Sequence, residues 1–378
     1  MKKIWSFIKR DAVLTAAWVL AAVSAFIVPP DAGYVGYVDL RSLGILWSLM
    51  VIMQVFRDNG IFVRIGSLLL SKTGSVRSLA AVLVFLCFIS SMLITNDVAL
   101  ITFVPFAVLV LRQCGSERLI MPTLVLQTVA ANLGSMLTPV GNPQNLYLYG
   151  ISGMSMRDFV VTMLPYTLLA AGLLAVCVLL LRTGKGEAKT VLSGEQTDAP
   201  PMKAGKLAVF GALFALALLT VLRVVPYYVL AAAVLAGALI FERRAVKEVD
   251  YALLLTFVGF FIFTGNMARV PVVSEALRGA VGGHEVAAGV LVSQCISNVP
   301  AALLLSGFTG DYSALLLGVN IGGLGTLIAS MASLISYKQF AREFGGQTKR
   351  YLLRFTAVNL VFLGALLALR LCLTGLTA

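Results

Sequence analysis

The sequence predicts an all-α polytopic membrane protein, and three observations lead to that prediction. Hydrophobic residues make up 59% of the 378 residues and charged residues only 12%, whereas soluble domains average about a quarter charged. The mean hydropathy is +0.95. Apolar runs of roughly 18 residues or more recur along the chain, each long enough to cross a bilayer core of about 30 Å. We therefore expect an integral membrane protein surrounded by a lipid bilayer.

The net charge of +12 does not point to a nucleic-acid partner, because the basic residues lie at the ends of apolar runs. Membrane proteins keep such cations on the cytoplasmic side. We expect a bacterial inner membrane as the location. The four basic groups are Lys2, Lys3, Lys9 and Arg10; Arg182, Lys185, Lys189, Lys203 and Lys206; Arg243, Arg244 and Lys247; and Lys338, Arg342, Lys349, Arg350 and Arg354.

Nine crossings put all four basic groups in the cytoplasm, with the N-terminus inside and the C-terminus outside. This count requires two apolar segments, 78–111 and 285–309, to be re-entrant hairpins that enter and leave on one side. The first apolar run resembles a signal peptide but ends in Pro29-Pro30, so we expect a retained crossing. The predicted crossings are 11–29, 40–57, 119–150, 158–182, 206–223, 226–242, 250–267, 312–337 and 351–374.

The two halves of the chain carry the same succession of motifs, which predicts an internal repeat. Thr95-Asn96 and Ser297-Asn298 each follow an isoleucine inside a hairpin. Asn132-Leu133-Gly134 and Asn320-Ile321-Gly322 are each followed, four residues after the glycine, by a threonine. Because the hairpins open to opposite sides in the predicted topology, the repeats are inverted, as in many secondary transporters. Chance similarity between two apolar halves is the alternative.

This repeat divides the chain into four parts. We predict a first inverted repeat at 1–182, a cytoplasmic linker at 183–205, a connecting transmembrane helix at 206–223 and a second repeat at 224–378. Neither repeat carries a GxSxG elbow, an HExxH motif or paired membrane aspartates, so an enzyme is not expected. The five cysteines are scattered and offer neither a disulfide framework nor metal-ligand spacing.

Polar residues at membrane depth mark the predicted site. Exposed backbone at a hairpin tip is tolerated only where protein or a water-lined cavity covers it. Gly141-Asn142-Pro143 predicts a broken helix within 119–150, and Gly322, Gly323 and Gly325 predict its counterpart within 312–337. Free carbonyl groups before a break can bind a cation, and free amides after it can bind an anion. The alternative is that these glycines serve only tight helix packing.

Asp97 is the only acidic residue within 78–111. An ionisable side chain inside a span costs at least about 2.5–3.5 kcal/mol, and such residues usually mark an ion or substrate path. Its carboxylate could bind Na⁺ or carry a proton. The alternative role is to cap the second hairpin helix as an ordinary N-terminal acid, and the two roles are compatible.

The sequence "TPVGNPQN" at 138–145 resembles the Thr-Pro-x-Gly-x-Pro-x-Asn signature of the divalent-anion/sodium symporters. These belong to the ion transporter superfamily, together with citrate transporters, arsenite permeases and one class of Na⁺/H⁺ antiporter. The tips Thr95-Asn96 and Ser297-Asn298 are similar to the Ser-Asn-Thr pair that holds sodium and substrate in the symporters. The resemblance extends from the first span to the last.

This resemblance implies a dimer that moves a transport domain as an elevator, with 61–70 and 272–281 as interfacial helices. The chain departs from the symporters at the third tip position, where Asp97 and Val299 replace threonine. Those threonines help to hold a carboxylate substrate, which puts a dicarboxylate substrate in question. The Thr-Asn-Asp tip is closer to the Asn-Asn-Asp of arsenite permeases.

We therefore expect a Na⁺- or H⁺-coupled transporter of a di- or tricarboxylate or an oxyanion. An arsenite or antimonite efflux permease, a Na⁺/H⁺ antiporter without organic substrate and a passive channel are the alternatives. We expect no cofactor other than Na⁺ bound at the tips. The expected substrate residues are Thr95, Asn96, Thr138, Asn142, Asn145, Ser297, Asn298 and Thr326, and the expected cation residues are Asn96, Asp97, Gly141, Ser297, Asn298 and Gly325.

Overall fold

The computed structural model describes residues 12–70, 73–182 and 203–375. Most of the predicted linker and part of the basic residues near it and at the N-terminus lie outside these ranges. The described residues form nineteen α-helices and no β-strand, which agrees with the predicted all-α membrane protein.

Of the described helices, nine lie in the first half of the chain and ten lie in the second half. The first nine are α1 Ala12–Ile27, α2 Gly33–Tyr37, α3 Leu40–Asp58, α4 Ile61–Leu70, α5 Val76–Ser90, α6 Asn96–Gln113, α7 Ile120–Gly134, α8 Pro143–Ser152 and α9 Met156–Leu179. The others are α10 Ala204–Val221, α11 Tyr227–Phe241, α12 Arg243–Lys247, α13 Tyr251–Ala268, α14 Pro271–Val281, α15 Glu285–Ile296, α16 Asn298–Leu305, α17 Tyr312–Ile321, α18 Met331–Glu343 and α19 Thr348–Gly375.

Seven helical stretches of the described chain are long and apolar enough to cross a membrane. Where crossings were predicted at 11–29 and 226–242, helices α1 and α11 have only 16 and 15 residues, about 22–24 Å at 1.5 Å per residue. Helix α6, the second arm of the predicted hairpin 78–111, is itself one of the seven. The seven are Leu40–Asp58, Asn96–Gln113, Glu117–Leu137, Met156–Leu179, Ala204–Val221, Tyr251–Ala268 and Gly345–Gly375.

Side-chain caps fix where several of these helices begin. The Asp39 carboxylate accepts from the Ser42 amide at the start of α3, and the Asp250 carboxylate accepts from the Leu253 amide at the start of α13. Such caps satisfy backbone N–H groups that have no partner within the helix. Helix α8 begins with Pro143, which needs no N–H partner at that position.

Two long helical segments are interrupted near their middles. Helix α7 ends at Gly134 and is followed by the 3₁₀ turns Ser135–Leu137 and Pro139–Gly141 before α8 begins. In the second half, an irregular stretch at 322–330 separates α17 from α18. Both interruptions lie where glycine, asparagine and proline predicted broken helices.

Close backbone contacts hold each helix pair against its interrupted helix. A Cβ atom on Gly134 would lie 2.0 Å from the Phe88 carbonyl oxygen and 2.6 Å from Ser91 Oγ. A Cβ atom on Gly322 would lie 2.8 Å from Ser293 Oγ. Glycine is required at both positions because any side chain would meet the neighbouring helix, so α5 and α15 can approach α7 and α17 closely.

The two halves of the chain pack against each other in a reciprocal way. Helix α1 packs on α13 and helix α3 packs on α11, while α18 packs on α6 and α8 packs on α16. Elements of one half therefore complete the surroundings of elements of the other half. The polar residues of the tips and of the two breaks lie among these contacts.

Candidate functional site

The first tip is the turn at 91–95 between α5 and α6. Thr95 precedes α6 in an extended conformation, and Asn96 and Asp97 form the first turn of that helix. The Asn96 side chain is buried, and its Oδ1 accepts from the Asp97 amide at 2.9 Å. Asp97 is partly exposed. The local fold thus turns the Asn96 amide inward and leaves the Asp97 carboxylate with access to solvent.

The second tip is tighter, because Ser297 alone separates α15 from α16. Ser297 has φ of +76°, a left-handed conformation that costs a non-glycine residue about 1–3 kcal/mol. The Asn298 amide donates to the Ala329 carbonyl at 3.0 Å, so the irregular stretch 322–330 holds this tip. Ser297 and Asn298 are both buried.

Asn132, near the end of α7, joins the first tip to the second break. Its Oδ1 accepts from Asn96 Nδ2 at 3.0 Å and from Ser330 Oγ at 3.0 Å. Its Nδ2 donates to Ser333 Oγ at 3.3 Å. Since Ser330 follows Ala329, which bonds Asn298, a continuous path of hydrogen bonds and backbone connects the two tips.

Asn320, near the end of α17, makes the corresponding contact with the first break. Its Nδ2 donates to Asn145 Oδ1 at 2.7 Å. Asn145 Nδ2 in turn donates to the carbonyls of Ser135 at 3.1 Å and Thr138 at 3.2 Å. Asn142 Nδ2 donates to Ser135 Oγ at 2.5 Å. The amides of this break therefore hold its own unwound backbone in place.

Thr138 and Thr326 occupy the corresponding positions of the two breaks but differ in their surroundings. Thr138 Oγ1 donates to the Met92 carbonyl of the first tip and accepts from the Gly141 amide at 3.2 Å. Thr326 is exposed, and its amide donates to Gln294 Oε1 at 2.9 Å. Gly325 has φ of +105°, and a Cβ there would lie 2.5 Å from that same oxygen. Each break is thus tied to the tip of its own half.

A cavity of about 340 Å³ lies beside the first tip. Its walls come from the first tip, from the residues that open α8 and α18, from α3 and from the start of α13. The lining side chains include Thr95, Asp97, Pro143, Met331, Met50 and Leu253. Asp97 therefore faces a space bounded by elements of both halves.

The charges around this cavity are mixed. Besides Asp97, the carboxylates of Glu248 and Asp250 line it, together with the cations of Arg57 and Lys338. Glu248 accepts from Gln54 Nε2 at 2.7 Å and is paired with Arg244 at 2.5 Å. Asp97 and Asp250 therefore remain as the carboxylates of the lining without an ion pair to a cation among the described residues.

Several buried polar atoms near the breaks have no hydrogen-bond partner. Asn320 Oδ1 is one, and both polar atoms of Gln144 are others. Buried polar groups are normally paired, so each exception calls for a water, an ion or a ligand. Carbonyl groups of unwound backbone coordinate Na⁺ in transporters, and Asn320 Oδ1 lies beside such a stretch, so it could add one further oxygen ligand. The described residues contain no group of three or more His, Cys, Asp or Glu that could hold another metal.

The predicted residues thus lie in different surroundings. Thr95 and Asp97 line the cavity, whereas Asn96, Asn142 and Asn145 are buried in hydrogen-bonded junctions. Gly141 is buried beneath Thr138, and a Cβ there would lie 2.1 Å from the Ser135 carbonyl oxygen. Ser297 and Asn298 lie at the second tip, and Gly325 and Thr326 lie next to Gln294.

The predicted site residues omitted Asn132, Asn320, Ser330 and Ser333, which link the tips and breaks. The repeat alignment contained the signal for all four, because Asn132 and Asn320 correspond and Ser330 and Ser333 correspond to Asn142 and Asn145. Asp250 was also missed, since its place beside Asp97 depends on packing between distant helices.

Comparison with known proteins identifies relatives of the chain. A profile of a citrate transporter family matches residues 4–309, which confirms the resemblance found in the tips and in "TPVGNPQN". An uncharacterized transporter of Methanocaldococcus jannaschii is 33% identical over 307 residues, 80% of this chain and 81% of the relative. The inner membrane protein YbiR of Escherichia coli is 31% identical over 310 residues, 80% of each chain.

A plant protein shares a shorter part of the chain. A silicon efflux transporter of Oryza sativa is 30% identical over 195 residues, 49% of this chain and 39% of the relative.

Proposed function

Because this chain belongs to the citrate transporter family, we propose that it carries a small anion across the membrane together with Na⁺ or H⁺. Family membership and the transporter relatives make it an integral membrane secondary transporter. The observation on which the cation coupling depends is the place of Asp97. Its carboxylate is the one acidic group of the first tip, and it faces a cavity bounded by both halves.

The proposed movement is of the elevator type, built on an inverted repeat. Two features support it: each half runs through the same order of helix pair, interrupted helix and long final helix, and the contacts between halves are reciprocal. The tips and breaks would form the moving domain, and α3 and α13 would belong to the static scaffold. The amphipathic helices α4 and α14 would link the two. A homodimer in the bacterial inner membrane, with the N-terminus in the cytoplasm, completes the proposal.

In this mechanism Asp97 holds the coupling ion, and Asn96 fixes the tip that carries it. The carbonyls of the breaks and the orphaned Asn320 Oδ1 would supply further oxygen ligands. Substrate would bind between the tips through backbone and side-chain amides, because no lysine or arginine lies at either tip. The candidate substrate side chains remain Thr95, Thr138, Asn142, Asn145, Asn298 and Thr326.

The two carboxylates nearest the first tip favour a second candidate substrate class. A citrate trianion would approach the carboxylates of Asp97 and Asp250, which repel it. A weak oxyacid that is largely uncharged near neutral pH, such as arsenous acid, would meet no such barrier. The rice relative is named for efflux of silicon, whose hydroxide is also a weak acid. Efflux of an uncharged oxyacid in exchange for a cation is therefore the alternative.

Transport by the purified chain in sealed vesicles tests both candidates. Uptake of labelled citrate, succinate and arsenite should be measured with a Na⁺ gradient, with a pH gradient and with neither. We expect a cation gradient to drive one class of substrate, and Asp97→Asn to abolish that dependence because it removes the carboxylate. Ion-driven pH change with no substrate present would instead indicate a Na⁺/H⁺ antiporter.

Asp311→Asn is the matched control, because the Asp311 carboxylate caps α17 by accepting from the Ala314 amide at 2.9 Å. Asparagine caps helices as well as aspartate does, so this variant should transport like the unmodified chain. Coupling that survives Asp97→Asn unchanged would overturn the assignment of Asp97.

A further inference from the structure

A second cavity, distant in the sequence from the tip motifs, has the composition of an anion site. Its volume is about 340 Å³, and it lies where the end of α18, the turn Gly345–Gln347 and the start of α19 meet the start of α7. Arg118, Arg350 and Arg354 line it together with Gln347. The tip residues and the cavity beside Asp97 have no part in it.

The three arginines of this cavity have no carboxylate partner among the described residues. Some cations of the described chain do have such a partner: Arg244 Nε lies 2.5 Å from Glu248 Oε1, and Arg112 Nη1 lies 2.8 Å from Glu343 Oε2. The one carboxylate in the lining, Glu117, lies 3.9 Å from Arg112 Nε. Three guanidinium groups against one partly engaged carboxylate leave a net positive cavity.

Cations are common at the ends of membrane-spanning helices, but these three arginines come from two segments that are far apart in the sequence. Arg118 precedes α7, whereas Arg350 and Arg354 are one turn apart on α19, more than 230 residues later. Guanidinium groups are well shaped for phosphate, because their planar N–H donors bind two of its oxygens at once. The start of α19 adds backbone N–H groups without intrahelical partners.

The inner wall of the cavity is apolar and aromatic. Ile120 and Met121 are buried, and the rings of Phe340 and Phe344 stack with centroids 5.0 Å apart. Beside the cavity, the Leu353 side chain between Arg350 and Arg354 is 75% exposed, and Val361 further along α19 is also exposed. A cationic rim beside an exposed apolar helix face matches a molecule with an anionic head and apolar tails.

We propose that this cavity binds the phosphate group of an anionic phospholipid at the cytoplasmic membrane surface. Its phosphate would lie among Arg118, Arg350 and Arg354, and its acyl chains would run along the exposed face of α19 past Leu353. The bound lipid would tie the start of α7 to the junction of α18 and α19. A free phosphate anion has the same charged oxygens as the head group, but it would make no contact with the apolar face of α19.

The test compares the full chain in nanodiscs of phosphatidylcholine alone with nanodiscs that also contain phosphatidylglycerol. We expect phosphatidylglycerol to raise the thermal unfolding midpoint by a few degrees and native mass spectrometry to show retained phosphatidylglycerol. Arg350→Gln should weaken the apparent affinity for phosphatidylglycerol about tenfold, as expected from the loss of one charge-assisted hydrogen bond. Arg350→Gln/Arg354→Gln should abolish both effects.

Lys349→Gln is the matched control, because it removes one positive charge from the same helical turn without touching the cavity. The midpoint of each variant in phosphatidylcholine alone reports whether it folds. Equal responses of Arg350→Gln, Lys349→Gln and the unmodified chain would overturn the site. If inorganic phosphate in lipid-free detergent raised the midpoint by the same amount, the assignment of a phospholipid as the ligand would be wrong, and the cavity would bind a soluble anion instead.

Discussion

The side-chain amide of Asn320 donates to Asn145 Oδ1 at 2.7 Å, joining two interrupted helices that lie 175 residues apart in the chain. Both side chains are buried, and Asn145 also donates to two carbonyls of its own break. Asn145 therefore donates to the unwound backbone of its own break and accepts from Asn320 of the other half.

Asn145→Ala should destabilise the protein by more than an average surface change. The substitution removes three buried hydrogen bonds, from Asn320 and to the carbonyls of Ser135 and Thr138. Asn320 keeps its bond to the Leu316 carbonyl, and the Thr138 carbonyl keeps its bond from the Gly141 amide. Each lost bond contributes about 0.5–1.5 kcal/mol. We expect a clear fall of the thermal unfolding midpoint in detergent.

Gln144→Met is the comparison for that variant, because Gln144 is fully buried beside Asn145 but neither of its polar atoms has a partner. Replacing an unsatisfied amide by an apolar side chain of similar size should be neutral or stabilising. A lower midpoint for Gln144→Met than for Asn145→Ala would contradict this assignment of the hydrogen bonds.

Gly134→Ala should disrupt the contact between α5 and α7. The new Cβ would lie 2.0 Å from the Phe88 carbonyl oxygen, so one helix must move. Overpacking of this kind costs about 1–3 kcal/mol and occasionally more. The yield of monodisperse protein and the unfolding midpoint should both fall.

Gly172→Ala, inside α9, tests whether any glycine-to-alanine change in a membrane helix would do the same. No atom lies within 4 Å of a Cβ at that position, and alanine favours helix by about 0.8–1.0 kcal/mol over glycine. We expect this variant to be as stable as the unmodified chain or more stable. If Gly172→Ala lowered the unfolding midpoint as much as Gly134→Ala, the close contact between α5 and α7 would not be the cause.

Asp250→Asn should weaken the cation dependence of transport without unfolding α13. Asparagine still accepts from the Leu253 amide as an N-cap. The lost charge lines the same cavity as Asp97, so the apparent cation affinity should fall about tenfold, the size expected for one charge about 12 Å from the cation at an effective dielectric constant of about 20.

Asp39→Asn provides the control, because Asp39 caps α3 in the same manner and does not line the cavity. Initial rates of uptake over a series of Na⁺ concentrations and pH values give the affinity for both variants. Equal affinities for the two variants would remove Asp250 from the cation path.

The bridge between Asp31 and Arg269 should make a small acid-labile contribution to stability. Arg269 Nη1 lies 2.8 Å from Asp31 Oδ2, and its guanidinium holds the pKa of the Asp31 carboxyl below its ordinary value. The contribution is therefore complete above an ordinary aspartate pKa of about 3.9 and is lost as the pH falls through the lower folded-state value.

Thermal unfolding at pH 5 and at pH 3 measures this contribution. The unmodified chain should lose more stability on acidification than Asp31→Asn, in which the bridge is absent at both values. Asp158→Asn, whose carboxylate contacts Ser155 rather than a cation, should behave like the unmodified chain. Identical acid sensitivity in all three proteins would show that the bridge contributes nothing.

Local sequence chemistry was enough to locate the breaks and tips, because glycine, proline and asparagine act on their own backbone. The break predicted at Gly141-Asn142-Pro143 is found, and the tip predicted within 78–111 is a turn that ends at Thr95, with Asn96 and Asp97 already in the following helix. The amphipathic segments 61–70 and 272–281 likewise form α4 and α14. These features depend on neighbours within a few residues.

Contacts between segments far apart in the chain could not be predicted from local sequence chemistry. The bonds from Asn132 to Ser330 and Ser333 span 198 and 201 residues, and no local pattern specifies them. The same limit applies to Asp250. Its sequence position is that of an ordinary N-cap, and only the packing of distant helices brings it into the lining of the cavity beside Asp97.

The path from Asn96 through Asn132 and Ser330 to Ala329 and Asn298 has a mechanical consequence. Separating the two tips breaks at least one buried hydrogen bond of this path. The path therefore favours movement of the tips and breaks together over a gate that opens between the tips. In the elevator movement proposed above, the surface that would slide is the cavity wall formed by α3 and the start of α13, which apolar side chains such as Met50 and Leu253 line.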